Sequence, residues 1–192
     1  MIDVVVLAAG AGRRLGTVAK ATLEVDGETY LARIARTAAE SGASKPVVVV
    51  AEPHRAETVA EAERLGLDCV ENPDPDRGMG SSVAVGFEYL SSRGSKSAAA
   101  LMWPVDHPVV SPKTVHELSA RVSPDRAVIP TYQGRGGHPV LVGASLWPEM
   151  SRAAELPEGA RSVFRADPAR VLRVAVDDPG VVRDVDTPEA VL

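Results

Sequence analysis

Short apolar runs alternate with longer amphipathic stretches along this chain. The apolar runs have the length of strands, and several of them are rich in valine. They predict strands at residues 4–8, 47–51, 67–70, 98–103, 127–129, 139–142, 171–176 and 181–185. The amphipathic stretches predict helices at residues 30–41, 56–65, 81–90, 112–121 and 160–166. Such alternation is typical of an α/β fold, in which helices cover a mostly parallel central sheet.

Capping residues mark several of the predicted helix ends. Thr29 precedes the helix at 30–41 as a plausible N-cap, and Gly42 follows it. Ser111 stands before Pro112, the pattern of an N-cap followed by proline at the first helical position. The chain contains no internal repeat, no low-complexity tract and no linker long enough to divide it. We therefore expect a single domain over residues 1–192.

Composition and charge narrow the class of protein. Hydrophobic residues make up 45% and charged residues 24% of the 192 residues, which is an ordinary globular balance. The net charge of −5 argues against a nucleic-acid partner, because such surfaces are usually basic. Cys69 is the single cysteine, so no intramolecular disulfide can form. The first apolar run lacks a basic flank and is too short for a signal peptide, and no run could cross a bilayer, so we expect a cytoplasmic protein without a membrane partner.

A glycine-rich, cationic loop follows the first predicted strand. It reads Leu7-Ala8-Ala9-Gly10-Ala11-Gly12-Arg13-Arg14-Leu15-Gly16, with Lys20 four residues further on. Glycines let the backbone approach a ligand closely and direct successive N–H groups at an anion. The added cations make a triphosphate a fitting ligand.

Two other nucleotide-binding loops have patterns that this loop does not match. Its glycine spacing is G-x-G-x-x-x-G, whereas a dinucleotide fold needs G-x-G-x-x-G with a helix directly after it. Lys20 is followed by Ala21, whereas a P-loop needs Ser or Thr there. An ordinary glycine-rich turn between a strand and a helix is the alternative that involves no ligand.

Acidic residues follow two predicted strands that are far apart in the chain. Asp106 comes after the strand at 98–103, and Asp186 comes after the strand at 181–185. Open α/β sheets bind ligands at the carboxyl ends of their strands, and magnesium takes one or two carboxylates together with phosphate oxygens and water. The alternatives are a turn-forming role for Asp106, a helix-capping role for Asp186, and Asp184 as the second metal ligand.

Several short motifs follow the glycine-rich loop along the chain. They are Asn72-Pro73, Gly78-Met79-Gly80-Ser81-Ser82, Pro104-Val105-Asp106-His107-Pro108, Gly137-His138-Pro139-Val140, Gly159-Ala160-Arg161 and Asp184-Val185-Asp186-Thr187-Pro188-Glu189. Together with the loop, and in this order, they resemble the MobA-like nucleotidyltransferases, above all the molybdenum cofactor cytidylyltransferases. The resemblance implies a three-layer α/β/α, Rossmann-like fold of the GT-A type.

The resemblance also implies roles for individual residues. The nucleotide-binding residues would be Leu7, Ala8, Ala9, Gly10, Gly12, Arg13, Lys20, Asn72, Gly78, Ser81 and Ser82. Arg13, Lys20 and Asp106 would be catalytic, and Mg²⁺ would bind Asp106 and Asp186. The acceptor would lie against Gly137, His138 and Pro139. Although Gly78–Ser82 could equally be a plain helix start and His138 a plain loop residue, the resemblance places both at the site.

The resemblance favours CTP as the nucleoside triphosphate, because Ala9 takes the place of a glycine that accompanies guanine. It implies a small phosphorylated acceptor, with molybdopterin as the first candidate, and a downstream molybdoenzyme or its maturation chaperone as a further partner. His107 and Trp103-Pro104 depart from the closest relatives, where a methionine and small residues are expected. These departures leave other acceptors open, such as a sugar or alcohol phosphate. A non-catalytic nucleotide-binding protein or cofactor chaperone on the same fold is the alternative from another class.

Overall fold

The computed structural model describes residues 2–10 and 18–185. Its strands are β1 (Ile2–Leu7), β2 (Glu24–Val25), β3 (Glu28–Thr29), β4 (Val47–Val50), β5 (Asp68–Glu71), β6 (Ala99–Pro104), β7 (Ala127–Tyr132), β8 (Arg135–Gly136), β9 (Val140–Gly143) and β10 (Val171–Ala175). Its α-helices are α1 (Tyr30–Glu40), α2 (Arg55–Arg64), α3 (Met79–Ser92), α4 (Pro112–Ser119), α5 (Trp147–Met150) and α6 (Ala160–Ala166).

A mixed, eight-stranded sheet forms the centre of this structure. Its strand order is β10-β7-β9-β6-β1-β4-β5, and β8 pairs with β7 beside this path. Strands β5, β4, β1 and β6 run parallel to one another, β9 is antiparallel to both of its neighbours, and β10 is parallel to β7. The expected α/β architecture with a mostly parallel sheet is confirmed.

Two apolar layers cover the opposite faces of the sheet. Alternate residues of β1 enter different layers, with Val4 and Val6 on one face and Val5 and Leu7 on the other. The first layer contains the buried side chains of α1, α2 and α4, and the second contains those of α3, α5 and α6. The described chain therefore has the three-layer α/β/α arrangement.

The topology places the carboxyl end of β1, which leads into the glycine-rich loop, at a switch point of the sheet. The chain passes from β1 through α1 to β4 on one side of β1, and later from α3 to β6 on the other side. α1 and α3 lie on opposite faces, so a crevice forms beyond the carboxyl end of β1. Open α/β sheets bind their ligands in such a crevice.

The predicted capping residues act as expected. Thr29 Oγ1 accepts a hydrogen bond from the Ala32 N–H (3.1 Å), and Ser111 Oγ accepts one from the Thr114 N–H (3.2 Å). The short β2–β3 hairpin was not predicted, although its turn residues Asp26 and Gly27 carry the positive φ values of an Asp-Gly turn. No helix in the described ranges combines the length and the apolar character needed to cross a membrane.

The strand predicted at residues 181–185 is wrong. The chain there forms a 3₁₀ helix, Pro179–Val182, followed by irregular backbone. Asp178 Oδ1 accepts a hydrogen bond from the Gly180 N–H (2.9 Å), which starts the turn, and proline fixes φ at the first helical position. Valine propensity for strands is overridden here by local turn chemistry. Asp186 therefore does not follow a strand, and its expected role as a metal ligand then rests on the family resemblance alone.

Candidate active site

An ion pair joins two of the predicted site residues at the carboxyl edge of the sheet. The Val105 N–H donates to the Leu7 carbonyl (3.1 Å), which keeps the end of β6 beside β1 and places Asp106 next to the switch point. Lys20 lies in a 3₁₀ helix, Lys20–Thr22, and its Nζ donates to Asp106 Oδ2 at 3.0 Å. Their side chains are 18% and 25% exposed. Lys20 was expected in an exposed loop and is instead partly buried against its carboxylate.

This ion pair also tests whether the site suits a metal. The Lys20 ammonium is a stand-in for a cation at the Asp106 carboxylate, so the position accepts positive charge. Among residues 2–10 and 18–185, no three His, Cys, Asp or Glu side chains converge into a metal-holding group. A hard cation here would consequently need oxygen ligands from its substrate, which is how magnesium commonly binds in nucleotide sites. The donor set fits Mg²⁺ on those terms.

The end of β1 forms the floor of the crevice. Leu7, Ala8 and Ala9 are buried, and the Ala8 N–H donates to the Val49 carbonyl (3.0 Å), which extends the pairing with β4. Gly10 is exposed, and a Cβ added there would meet no described atom within 4 Å. Glycine at this position is therefore not required by packing, and a ligand could approach its backbone. Gly12, Arg13 and Asp186 lie outside the described residues, so their roles stay predictions.

Asn72 organises the segment between β5 and α3. Its Nδ2 donates to Ser81 Oγ (2.8 Å) and to Ser82 Oγ (3.1 Å), and its Oδ1 accepts from the Asp74 N–H (3.0 Å). All three side chains of Asn72, Ser81 and Ser82 are buried. Gly78 has a φ of +84° and precedes the first residue of α3. The serine side chains thus brace this segment, and the groups left for a nucleotide are the backbone N–H groups at the start of α3.

The predicted acceptor segment packs against the residues after β10. The Gly137 N–H donates to the Pro130 carbonyl (2.8 Å), and a Cβ on Gly137 would lie 2.1 Å from the Val181 carbonyl oxygen. The His138 N–H donates to that same oxygen (2.7 Å). Gly137 is therefore required by close packing, which the sequence did not reveal.

The His138 ring lies next to the ion pair and is neutral at pH 7. Burial, together with the neighbouring His107 and Arg161, lowers its pKa to about 4, and Asp106 partly opposes them. The centroids of the His107 and His138 rings are 4.9 Å apart. His138 Nδ1 is buried and has no hydrogen-bond partner within residues 2–10 and 18–185. A neutral imidazole carries no positive charge, so the cations near Asp106 are Lys20 and arginines such as Arg161.

The sequence did not predict the pairing of His107 with Asp184, which it indicated only as an alternative metal ligand. His107 Nε2 donates to Asp184 Oδ1 at 2.9 Å, and the Val185 N–H donates to the Asp106 carbonyl at 2.8 Å. The departure of His107 from the methionine expected in relatives was the one signal in the sequence. The chain that leads to Asp186 is thereby bound to the end of β6.

Comparison with known proteins identifies the family. A family profile for the MobA-like NTP transferase domain matches residues 4–174. The chain belongs to this family. It is 32% identical to the nicotine blue oxidoreductase of Paenarthrobacter nicotinovorans, over 96% of this chain and 92% of that protein. It is 31% identical to the molybdenum cofactor guanylyltransferase of Acidiphilium cryptum, over 75% of this chain and 65% of that protein.

Solved structures agree with this membership in the MobA-like family. Rv0371c from Mycobacterium tuberculosis H37Rv superposes with a TM-score of 0.81 and 25% identity, over all of this chain and 96% of that one. A structure of Rv0371c in complex with manganese gives a TM-score of 0.73 and 21% identity, over 99% and 95% of the two chains. The fold is that of the GT-A-like nucleotidyltransferases.

Proposed function

We propose that this MobA-like chain transfers a nucleotide, CMP from CTP, to a small phosphorylated acceptor and releases pyrophosphate. The observation that carries the proposal is the Lys20–Asp106 pair at the switch point of the sheet. It combines a cation for the phosphates with a carboxylate for a metal at the one edge where this fold binds ligands. Membership in a nucleotidyltransferase family supports the reaction class.

The proposed reaction needs charge neutralisation more than acid–base chemistry. An oxygen of the acceptor phosphate attacks the α-phosphorus, and the bond from that phosphorus to the bridging oxygen breaks, so pyrophosphate leaves with the electron pair. An acceptor phosphate is already ionised at neutral pH, so no general base is required. Lys20 and Arg13 would face the negative charge that builds on the phosphates. His138, neutral and partly buried, has no proton-transfer role in this scheme.

Asp106 and Asp186 are the residues we propose as ligands of Mg²⁺. Members of this family commonly use divalent metals, and the manganese complex of a structural neighbour supports a divalent cation here. When bound, the ion would neutralise phosphate oxygens and help to orient the triphosphate. Val185, the residue before Asp186, is hydrogen-bonded to Asp106, which supports a shared role for the two carboxylates.

Base choice and acceptor are assigned from the resemblance. Ala9 is buried at the end of β1, and the family resemblance associates alanine at this position with a cytidine nucleotide and glycine with guanine. This favours CTP, although one relative is named a guanylyltransferase. Molybdopterin is our first acceptor candidate, followed by a sugar or alcohol phosphate. We place the reaction in the cytoplasm, with a molybdoenzyme or its maturation chaperone as the recipient of the product.

The decisive experiment measures pyrophosphate release. The protein is incubated with Mg²⁺, each of the four triphosphates, inorganic pyrophosphatase and a panel of phosphorylated acceptors that includes molybdopterin. We expect acceptor-dependent phosphate release with CTP, and a loss of at least about 10²-fold in Asp106→Asn, which removes a charge but little volume. Asp177→Asn is the matched control, because its carboxylate is exposed and makes no polar contact with the described residues. Tight triphosphate binding without release for any acceptor would favour a non-catalytic binder or cofactor chaperone.

A second candidate function is supported by a specific observation. The similarity to an oxidoreductase extends over 96% of this chain, which is a larger share than the guanylyltransferase match covers. Under this alternative the site would bind a reduced nicotinamide dinucleotide, which would pass a hydride to an organic acceptor, and the G-x-G-x-x-x-G spacing of the loop counts against it. Incubation with NADH or NADPH and a quinone acceptor, followed by nicotinamide absorbance, separates the two candidates. Rapid oxidation of the cofactor without any nucleotidyl transfer would replace our proposal.

A further inference from the structure

His107 is fixed from several directions at the end of β6. Its carbonyl accepts a hydrogen bond from the Trp103 indole (2.9 Å), and its ring packs on the His138 ring. Nδ1 faces the Gly180 carbonyl at 3.5 Å, and only 4% of the residue is exposed. These contacts fix the ring and leave Nε2 as the ring nitrogen that can bond to a group outside them.

The partner of Nε2 is a carboxylate that otherwise extends into solvent. Asp184 Oδ1 accepts from His107 Nε2 at 2.9 Å, while 69% of the Asp184 side chain is exposed. A carboxylate can only accept a hydrogen bond, so Nε2 carries the hydrogen. The bond therefore orients the chain at Asp184 more than it contributes to the core.

The chain between Asp178 and Val185 is attached at both ends. Asp178 Oδ2 accepts from the Ser111 N–H (2.9 Å) and from Thr114 Oγ1 (2.7 Å). At the other end, Val185 is buried and its N–H donates to the Asp106 carbonyl. Between these attachments, the His107 ring links this chain to the segment carrying Asp106 through the bond to Asp184 and through Nδ1, which faces the Gly180 carbonyl.

We infer that His107 is a positioning residue that holds the chain at Asp184 against the segment that carries Asp106, the carboxylate at which we propose that a divalent cation binds. The inference rests on the proposed metal-dependent function. His107 touches no reacting atom in this arrangement, because both of its ring nitrogens face protein oxygens. An apolar residue such as methionine could fill the same volume, but it could not donate to Asp184.

The hydrogen-bond donor of the His107 ring can be tested separately from the volume that the ring fills. His107→Leu removes the ring donor, His107→Gln retains an amide donor, and Asp184→Ala removes the acceptor from an exposed position where folding should be unaffected. Asp177→Ala deletes an equal charge from the same stretch of chain without removing a polar contact to the described residues. Affinity for Mn²⁺ is measured by electron paramagnetic resonance, with and without a non-hydrolysable triphosphate. Hydrogen exchange of the amides of residues 181–185 is followed in the same samples.

We expect His107→Leu and Asp184→Ala each to weaken Mn²⁺ binding in the presence of the triphosphate by about fivefold, the effect of one net hydrogen bond. The double variant should be no weaker than either single variant, because both changes break the same bond. His107→Gln should recover most of the affinity, and exchange at residues 181–185 should be faster in the variants that lack the bond. Asp177→Ala should behave as the unmodified protein.

Failure of this inference differs from failure of the proposed function. If the unmodified protein binds no Mn²⁺ with any triphosphate, the metal-dependent function is wrong and the positioning role falls with it. If the unmodified protein binds Mn²⁺ and Asp184→Ala binds it equally well, the function stands and the positioning role is overturned. Additive losses in the double variant would also overturn it, since His107 and Asp184 would then act separately. Asp184→Ala keeps the test decisive even if His107→Leu does not fold.

Discussion

Replacing Lys20 by methionine should have opposite effects on the two ligands of the site. Methionine keeps an unbranched stem but removes the ammonium that now donates to Asp106 Oδ2. A free divalent cation should then bind Asp106 more tightly, because it no longer competes with a resident cation. A nucleoside triphosphate should bind more weakly, because its phosphates lose a positive partner. A simple loss of folding would weaken both.

The size of the first effect follows from the geometry of the pair. Two unit charges about 4 Å apart interact by about 4 kcal/mol at an effective dielectric constant of about 20. The two side chains are 18% and 25% exposed, and solvent screening reduces such energies towards the ~1 kcal/mol of surface pairs. We therefore expect about 1–2 kcal/mol, which is a gain of about 5- to 30-fold in cation affinity. Turnover should fall by about 10²-fold or more.

The measurement is a titration of Mn²⁺ into protein without nucleotide, repeated with each triphosphate present. Lys113→Met is the matched control, because the Lys113 side chain is 82% exposed and its ion-pair partner is Glu117 (3.9 Å) rather than Asp106. Thermal unfolding of both variants reports whether the partly buried Asp106 tolerates the loss of its partner. The reasoning is refuted if Lys20→Met binds free Mn²⁺ no more tightly than the unmodified protein does.

Four further outcomes are expected. Ala9→Gly should shift preference modestly from CTP towards GTP in calorimetric titrations, and tighter binding of GTP or ATP by the unmodified protein would contradict the base assignment. Gly10→Ala should keep its stability and lose triphosphate affinity, since a Cβ there meets no described atom. Gly137→Ala should lose at least about 2 kcal/mol in urea unfolding, because its Cβ would collide with the Val181 carbonyl. The His138 imidazole has a pKa of about 4 when folded and about 6.5 when unfolded, so the unfolded state binds the extra proton between these values. Stability should therefore fall by up to about 3 kcal/mol from pH 6.5 to 4, and His138→Gln should flatten this dependence; equal slopes for both proteins would argue against it.

The regular elements were largely predictable because their signals are local. The buried strands are runs of valine and alanine, as at residues 47–50, and the helices α1 and α4 begin at residues with side chains that cap them. Residues 181–185 were mispredicted as a strand because their valines favour extended structure. There the carboxylate of Asp178 and the sequence Pro179-Gly180 impose a 3₁₀ turn instead.

The sequence predicted which residues belong to the site but not which of them contact one another. Lys20 and Asp106 were both expected there, yet they are separated by 86 positions, and nothing in one sequence shows that they pair. Ser81 and Ser82 were expected to face a nucleotide, whereas their hydroxyl groups accept hydrogen bonds from Asn72. Such pairings depend on the exact register of the strands and the exact first residue of each helix. Hydrophobic patterns do not determine either of these.

The charge pairs at this edge of the sheet suggest that side chains exchange their partners within the protein for partners on the substrate. In the free protein, Lys20 faces the Asp106 carboxylate and His107 donates to Asp184. A triphosphate entering the crevice offers Lys20 a more highly charged anion, which releases Asp106 for a cation carried by the same triphosphate. Metal and nucleotide should consequently bind together, and either one alone should bind weakly. A protein that bound a triphosphate without a metal would gain nothing from a carboxylate at this position, because the carboxylate repels the phosphates until a metal joins them.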